Sequence, residues 1–215
     1  MSDTGYIEQN TGIIEGLKHN LDGIRSRGHV SRQPVPYLHK DDHNFGNLMD
    51  TIQLKLKEQR KTGAMRLGIV VGTGAMLSIA PDIDVDTWLV LDNNNFVLEW
   101  SEQTVQAIRQ QPNRREYTNQ VYSGVLAQEA KSNRIDPNEW LEIEKQALGR
   151  LHFLNSDSRF TQAKQQLTKT PVLFCQGNLS SREYMEELTS VLRSHNAEIA
   201  FANLTDVLEF APPHW

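Results

Sequence analysis

Two glycines and an acid, Gly72, Gly74 and Asp92, are the residues whose types and spacing most plainly suit chemistry. An apolar run from Leu67 to Val71 breaks at Gly72-Thr73-Gly74, and a second, Trp88 to Leu91, ends on Asp92. Glycine at such a break allows positive φ and close approach of a ligand to the backbone. A helix that starts there offers free N–H groups. Asp92 stands 18 residues beyond Gly74, near the roughly 20-residue offset at which an acid accepts hydrogen bonds from both hydroxyls of a ribose. Two plainer readings stand beside these: a strand–helix turn that binds nothing, and a helix cap built from Asp92, Asn93 and Asn94. No Gly-Lys-Ser/Thr follows, so the turn is not a P-loop, and Leu77 at the third glycine position makes a weak NAD fingerprint.

Other clusters invite the same question. His39-Lys40-Asp41-Asp42-His43 places two histidines four apart with carboxylates between them. On a helix they would face one metal ion, but Pro36 precedes them and the aspartates suit caps for the next helix, so no metal site is assigned. Arg109, Arg114 and Arg115 surround Pro112, either as an anion-binding corner or as a solvated helix end, where cations are favoured anyway. Cys175 is the only cysteine, which excludes an internal disulfide and a cysteine zinc site. Trp88, Trp100 and Trp140 read as core, whereas Trp215, beside two prolines, reads as a contact surface.

The elements that must position these residues alternate. After a polar segment with one amphipathic helix (Ile13 to Ile24, interrupted by glycines) comes a proline-containing loop, then a helix from about Phe45 to Arg60. From Met65 the pattern is strand, glycine turn, short helix, strand, and a long helix over 95–111. Asp82, Asp84 and Asp86 read as a solvated loop. Residues 117–149 read as two helices, the second opened by Asp136 as cap, Pro137 at the first helical position and Glu139 as capping-box partner. A further helix carries Phe160, Ala163 and Leu167 on one side. The strand Pro171 to Cys175 ends at Gln176-Gly177-Asn178; a helix follows with Ser180 and Glu183 as a capping pair, then a strand from Glu198 to Ala202 runs into Asn203. This alternation implies a Rossmann-like, mostly parallel sheet with helices on both faces, with room for a shortened sheet. The expected division is an N-terminal helical extension or lid over 1–64 and the α/β domain over 65–215.

With 215 residues the chain buries a sizeable core without staples. Its net charge of −5 argues against a nucleic-acid partner, which needs a basic footprint. No run approaches the roughly 20 apolar residues of a membrane span, and the N-terminus lacks the order of a signal peptide. The expectation is a cytoplasmic protein with no membrane partner, although a specialised secretion route leaves no readable mark.

The segments IVVGTGA (Ile69 to Ala75) and WLVLD (Trp88 to Asp92), with Asn203 in AFANLTDV, resemble the class I S-adenosylmethionine-dependent methyltransferases. The resemblance covers about residues 65–210 and implies S-adenosylmethionine as cofactor, with a small molecule or a protein as methyl acceptor. It implies that Gly72, Thr73 and Gly74 pass under the methionine portion and that Asp92 and Asn93 hold the ribose. Gly177 and Asn178 would border the adenine, and Asn203 would face the transferred methyl as a catalytic-site residue. Tyr37, His43 and Asn47 would belong to a segment folding over the cofactor, with His43 as the candidate base beside His39 and Asp206. The chain departs from the family at Val70, where an acid is usual, at Met76, where a glycine is common, and at Gln176-Gly177-Asn178, where an acid often follows the third strand. Those departures keep a second expectation open, a non-catalytic interaction module with a protein partner. A nucleotide- or NAD-binding enzyme is a third.

Overall fold

The computed structural model describes residues 3–24, 45–58, 63–72, 74–132 and 136–204. Four strands form one all-parallel sheet in the order β3-β2-β1-β4: β1 (Met65–Val71), β2 (Thr87–Asp92), β3 (Val172–Gln176) and β4 (Ala197–Asn203). The helices are α1 (Asp3–Ile24), α2 (Phe45–Glu58), α3 (Gly74–Ile79), α4 (Asn95–Gln110), α5 (Arg114–Thr118), α6 (Val125–Ser132), α7 (Pro137–Leu148), α8 (Asp157–Lys169) and α9 (Arg182–Ser194). Beyond β1 the chain steps to β2 and β3 on one side, then returns through α9 to place β4 on the other. The strand order therefore reverses between β1 and β4.

The central strands are continuously apolar because both faces are covered. Leu67, Ile69, Leu89 and Leu91 face a core shared with Leu17, Leu21 and Ile24 of α1 and with Tyr184, Leu188 and Leu192 of α9. Their neighbours Val70, Trp88 and Val90 face the opposite core with residues of α2 to α8. The sheet is thus the middle of three layers. Met49 and Leu56 of α2 belong to that second core, so side chains from the expected N-terminal extension complete both faces of the sheet.

Several helix starts follow the sequence directly. Asn94, Asn113, Asp136 and Ser156 each accept a backbone N–H in the first turn of α4, α5, α7 and α8, and Pro137 stands at the first helical positions of α7. Phe160, Ala163 and Leu167 form the buried stripe of α8. The cap of α9 is Ser181 rather than the expected Ser180, its hydroxyl accepting from Tyr184 N at 3.3 Å. The expected first helix after residue 117 is instead broken: α5 passes into a π turn, Asn119–Ser123, before α6. Of the aspartates before β2, Asp84 is exposed as a solvated loop requires, whereas Asp82 and Asp86 are half-buried, and all three have partners. Asp82 pairs with Arg159, Asp84 with Arg66, and Asp86 accepts the Arg66 backbone N–H at 2.8 Å.

Tyr117 and Tyr122 lie buried in this helical layer, with Tyr117 in ring contact with Phe153 and Phe160. Burial, then the Glu144 carboxylate, raises the Tyr117 phenol above its ordinary range; burial, then Tyr117 itself, does the same for Tyr122. The folded state therefore keeps protons that the unfolded tyrosines lose near pH ~10, and stability must fall as pH rises past that value. Urea midpoints should be level up to about pH 9 and decline beyond about pH 10. A flat profile to about pH 11 would show that these phenols titrate freely.

Candidate functional site

Parallel topology brings the carboxyl ends of all four strands to one edge of the sheet. β1 ends at Val71 followed by Gly72, β2 at Asp92, β3 at Gln176 followed by Gly177, and β4 at Asn203. Of the residues singled out by sequence, Gly72, Gly74, Asp92, Asn93, Gly177, Asn178 and Asn203 therefore cluster at this edge. Thr73, Tyr37, His39, His43 and Asp206 lie outside the described residues, as does the side chain of Asn47.

Each strand end has its own local geometry. Gly72 has φ of +69°, a conformation that disfavours any residue with a Cβ, and its N–H donates to Leu91 O at 3.2 Å. α3 begins two residues later, at Gly74. Asp92 is only 2% exposed, and its Oδ1 accepts the backbone N–H of Asn94 at 2.8 Å. Asn94 in turn accepts Phe96 N at 3.0 Å as the cap of α4. The carboxylate at the end of β2 thus supports the start of the next helix, as the capping reading anticipated. Asn203 is buried at the end of β4, level with Val70 across the β1–β4 pairing.

The third strand end is closed by the protein itself. A Cβ on Gly177 would lie 2.0 Å from Cζ of Tyr184, so the phenol ring of α9 occupies that space. Gly177 N also donates to Asp92 O at 2.9 Å, which ties the β3 end to the β2 end. Gln176 reaches across to Asn93 O at 3.3 Å, and Asn178 Oδ1 accepts Ser180 N at 3.0 Å. Sequence reasoning missed this seal. Its sequence signal is faint, a glycine at a strand end with an aromatic in the first turn of the following helix. The two departures noted in the glycine segment are both core side chains: Val70 is 2% and Met76 1% exposed.

The remaining polar clusters lie elsewhere. Arg109 donates to Leu167 O at 2.9 Å and to Thr170 O at 3.3 Å, capping the end of α8, so it does not join Arg114 and Arg115 in one corner. His152 is fully buried, its Nδ1 accepting Leu154 N–H at 3.1 Å and its Nε2 lying 3.6 Å from the Glu144 carboxylate. That pair is sealed from solvent on the histidine side and reads as support for the 151–156 segment. Among the described residues no group of three or more His, Cys, Asp or Glu side chains is placed to hold a metal ion. No helix among them is long and apolar enough to cross a membrane.

Fold and strand-end geometry together define a Rossmann-like, all-parallel α/β domain with its topological switch point between β1 and β4. No known family model matches the chain, and no curated protein matches it.

Proposed function

We propose that this chain is an S-adenosylmethionine-binding, methyltransferase-like protein that takes its cofactor at the carboxyl ends of β1, β2 and β4. The observation that carries the reading is the meeting of a positive-φ glycine, Gly72, with Asp92 and Asn203 at the edge where the strand order reverses. Open α/β sheets bind their ligands outside the strand ends at such a point. On this reading Gly72 and Gly74 underlie the methionine portion, Asp92 and Asn93 face the ribose, and Asn203 borders the methyl group. Methyl transfer asks the protein for alignment rather than covalent chemistry. When bound, S-adenosylmethionine would supply an activated methyl group, and the residues named would hold and orient it while excluding water. The acceptor is a small molecule or a protein side chain.

A second reading, a non-catalytic interaction module, draws support from Tyr184 over Gly177 and from the Asp92–Asn94 turn. In both places the groups assigned to the cofactor already serve the protein's own packing.

Calorimetric titration with S-adenosylhomocysteine, beside NAD and ATP, separates the readings. S-adenosylhomocysteine should bind, and Asp92→Asn should weaken it by about tenfold, since that change keeps an acceptor for Asn94 but removes the charge that strengthens hydrogen bonds to ribose hydroxyls. Silence with all three ligands would leave the interaction module standing. Binding of NAD or ATP alone would move the chain to a nucleotide-binding enzyme.

A further inference from the structure

Away from the strand ends, α5, α7 and the start of α8 enclose an open groove of about 570 Å³. That volume falls within the range of small-molecule sites, roughly 300–1,000 Å³. Buried Leu141 and Leu154 supply its apolar lining. Arg114, Arg115 and Lys145 line it with a single carboxylate, Asp157, against them. In a chain of net charge −5 this is a local inversion of sign.

The cations differ in how far they are committed. Arg114 is held in place: it donates through Nη1 to Leu154 O at 2.8 Å, and its Nε lies 3.1 Å from Asp157 Oδ1. Its Nη2 has no partner among the described residues. Arg115 is exposed and is likewise without a partner among them. Lys145 pairs with Glu142 at 2.8 Å on the helix surface, an ion pair of the weak kind that an incoming anion can replace. Asn113 and Asn119 add amides to the wall, and the positive end of the α8 dipole adds to the potential.

We infer that this groove binds a small organic phosphate, a phosphate monoester on an apolar body. Two guanidinium forks and an ammonium suit a dianion with several acceptor oxygens. Leu141 and Leu154 take the body. The site is separate from the strand-end crevice and shares no residue with it.

The test is a titration with phenyl phosphate followed by amide ¹⁵N–¹H spectra, with phenol and inorganic phosphate as comparators. Phenyl phosphate should saturably shift amides of residues 113–119 and 154–158, more tightly than either comparator. The double variant Arg115→Glu/Lys145→Gln changes side chains that are not buried, so it should keep the native circular dichroism while weakening binding by about tenfold or more. Arg115→Lys should recover part of that loss in the Lys145 wild-type background. The inference is overturned if those amides do not move, if phenol or inorganic phosphate binds as tightly, or if the double variant binds phenyl phosphate unchanged. The result is independent of the S-adenosylhomocysteine titration, which reports on residues that do not line this groove.

Discussion

Replacing Arg159 with methionine is expected to lower the free energy of unfolding by about 2–4 kcal/mol. Arg159, on α8, grips the Asp82 carboxylate with both terminal nitrogens, at 3.2 and 2.8 Å, and donates to Ser78 O at 2.5 Å and Leu151 O at 3.0 Å. One side chain thus ties α8 to the end of α3, to the 3-10 turn Ala80–Asp82 and to the 3-10 turn Gly149–Leu151. The pair is largely shielded, with side-chain exposures of 17% and 20%. Water softens the loss only in part, which sets the figure below that for a fully buried pair broken on one side, about 3–5 kcal/mol. Methionine fills the aliphatic volume but leaves Asp82 and two carbonyls without their donor. Asp82→Leu in the same chain should recover part of the loss, because it removes the stranded carboxylate. Urea unfolding of both single variants and the double gives the coupling. A single variant within about 0.5 kcal/mol of the parent would mean that water replaces the guanidinium without cost.

This network shows where a sequence ceases to be readable. Arg159 and Asp82 stand 77 residues apart, and nothing local in either segment signals the other. The aspartates before β2 therefore read as a solvated loop, which holds for exposed Asp84, whereas two residues, Arg159 and Arg66, between them hold all three. What was legible is what burial writes locally. Leu67 to Val71 and Trp88 to Leu91 are continuous apolar runs because both faces of β1 and β2 are covered, and Phe160, Ala163 and Leu167 mark the inner stripe of α8. The strand-end cluster was legible for the same reason. Glycines and an acid at the ends of buried parallel strands share one edge by topology alone. The Tyr184 seal was not, because a ring filling the space above Gly177 is a packing contact without periodicity. The broken helix after Arg114 belongs with it, since Tyr117 is held by Phe153 and Phe160 from distant parts of the chain.

Gly68→Ala should lower stability by about 2–3 kcal/mol, although alanine is ordinarily the better residue in a strand. Gly68 sits inside β1, opposite Trp88 on one side and opposite Phe201 on the other. Both aromatics lean over it on the same face: Trp88 is fully buried, and its ring meets that of Phe201 edge-on at 6.0 Å. A Cβ on Gly68 would lie 2.5 Å from Cε3 and Cζ3 of that indole, well inside contact distance. A register shift in the β1–β4 pairing between Leu67 and Gly68 is what sets Phe201, rather than Ala200, opposite the glycine. The glycine, the bulge and the two rings are one device, in which neighbouring aromatics supply the cover that glycine lacks. Alanine must displace the indole or spread the strands, and a close-packed core resists both. Trp88→Leu should itself cost stability, but combined with Gly68→Ala it should cost less than the sum of the two, since the smaller side chain relieves the overlap. A Gly68→Ala protein as stable as its parent in urea, with unchanged near-ultraviolet dichroism, would show that the rings can retreat freely. The consequence reaches the candidate site, because Asn203 and Val70 are paired only two residues beyond this contact. Spreading β1 from β4 at Gly68 opens the switch point itself, so under the proposed function S-adenosylhomocysteine affinity should fall along with stability.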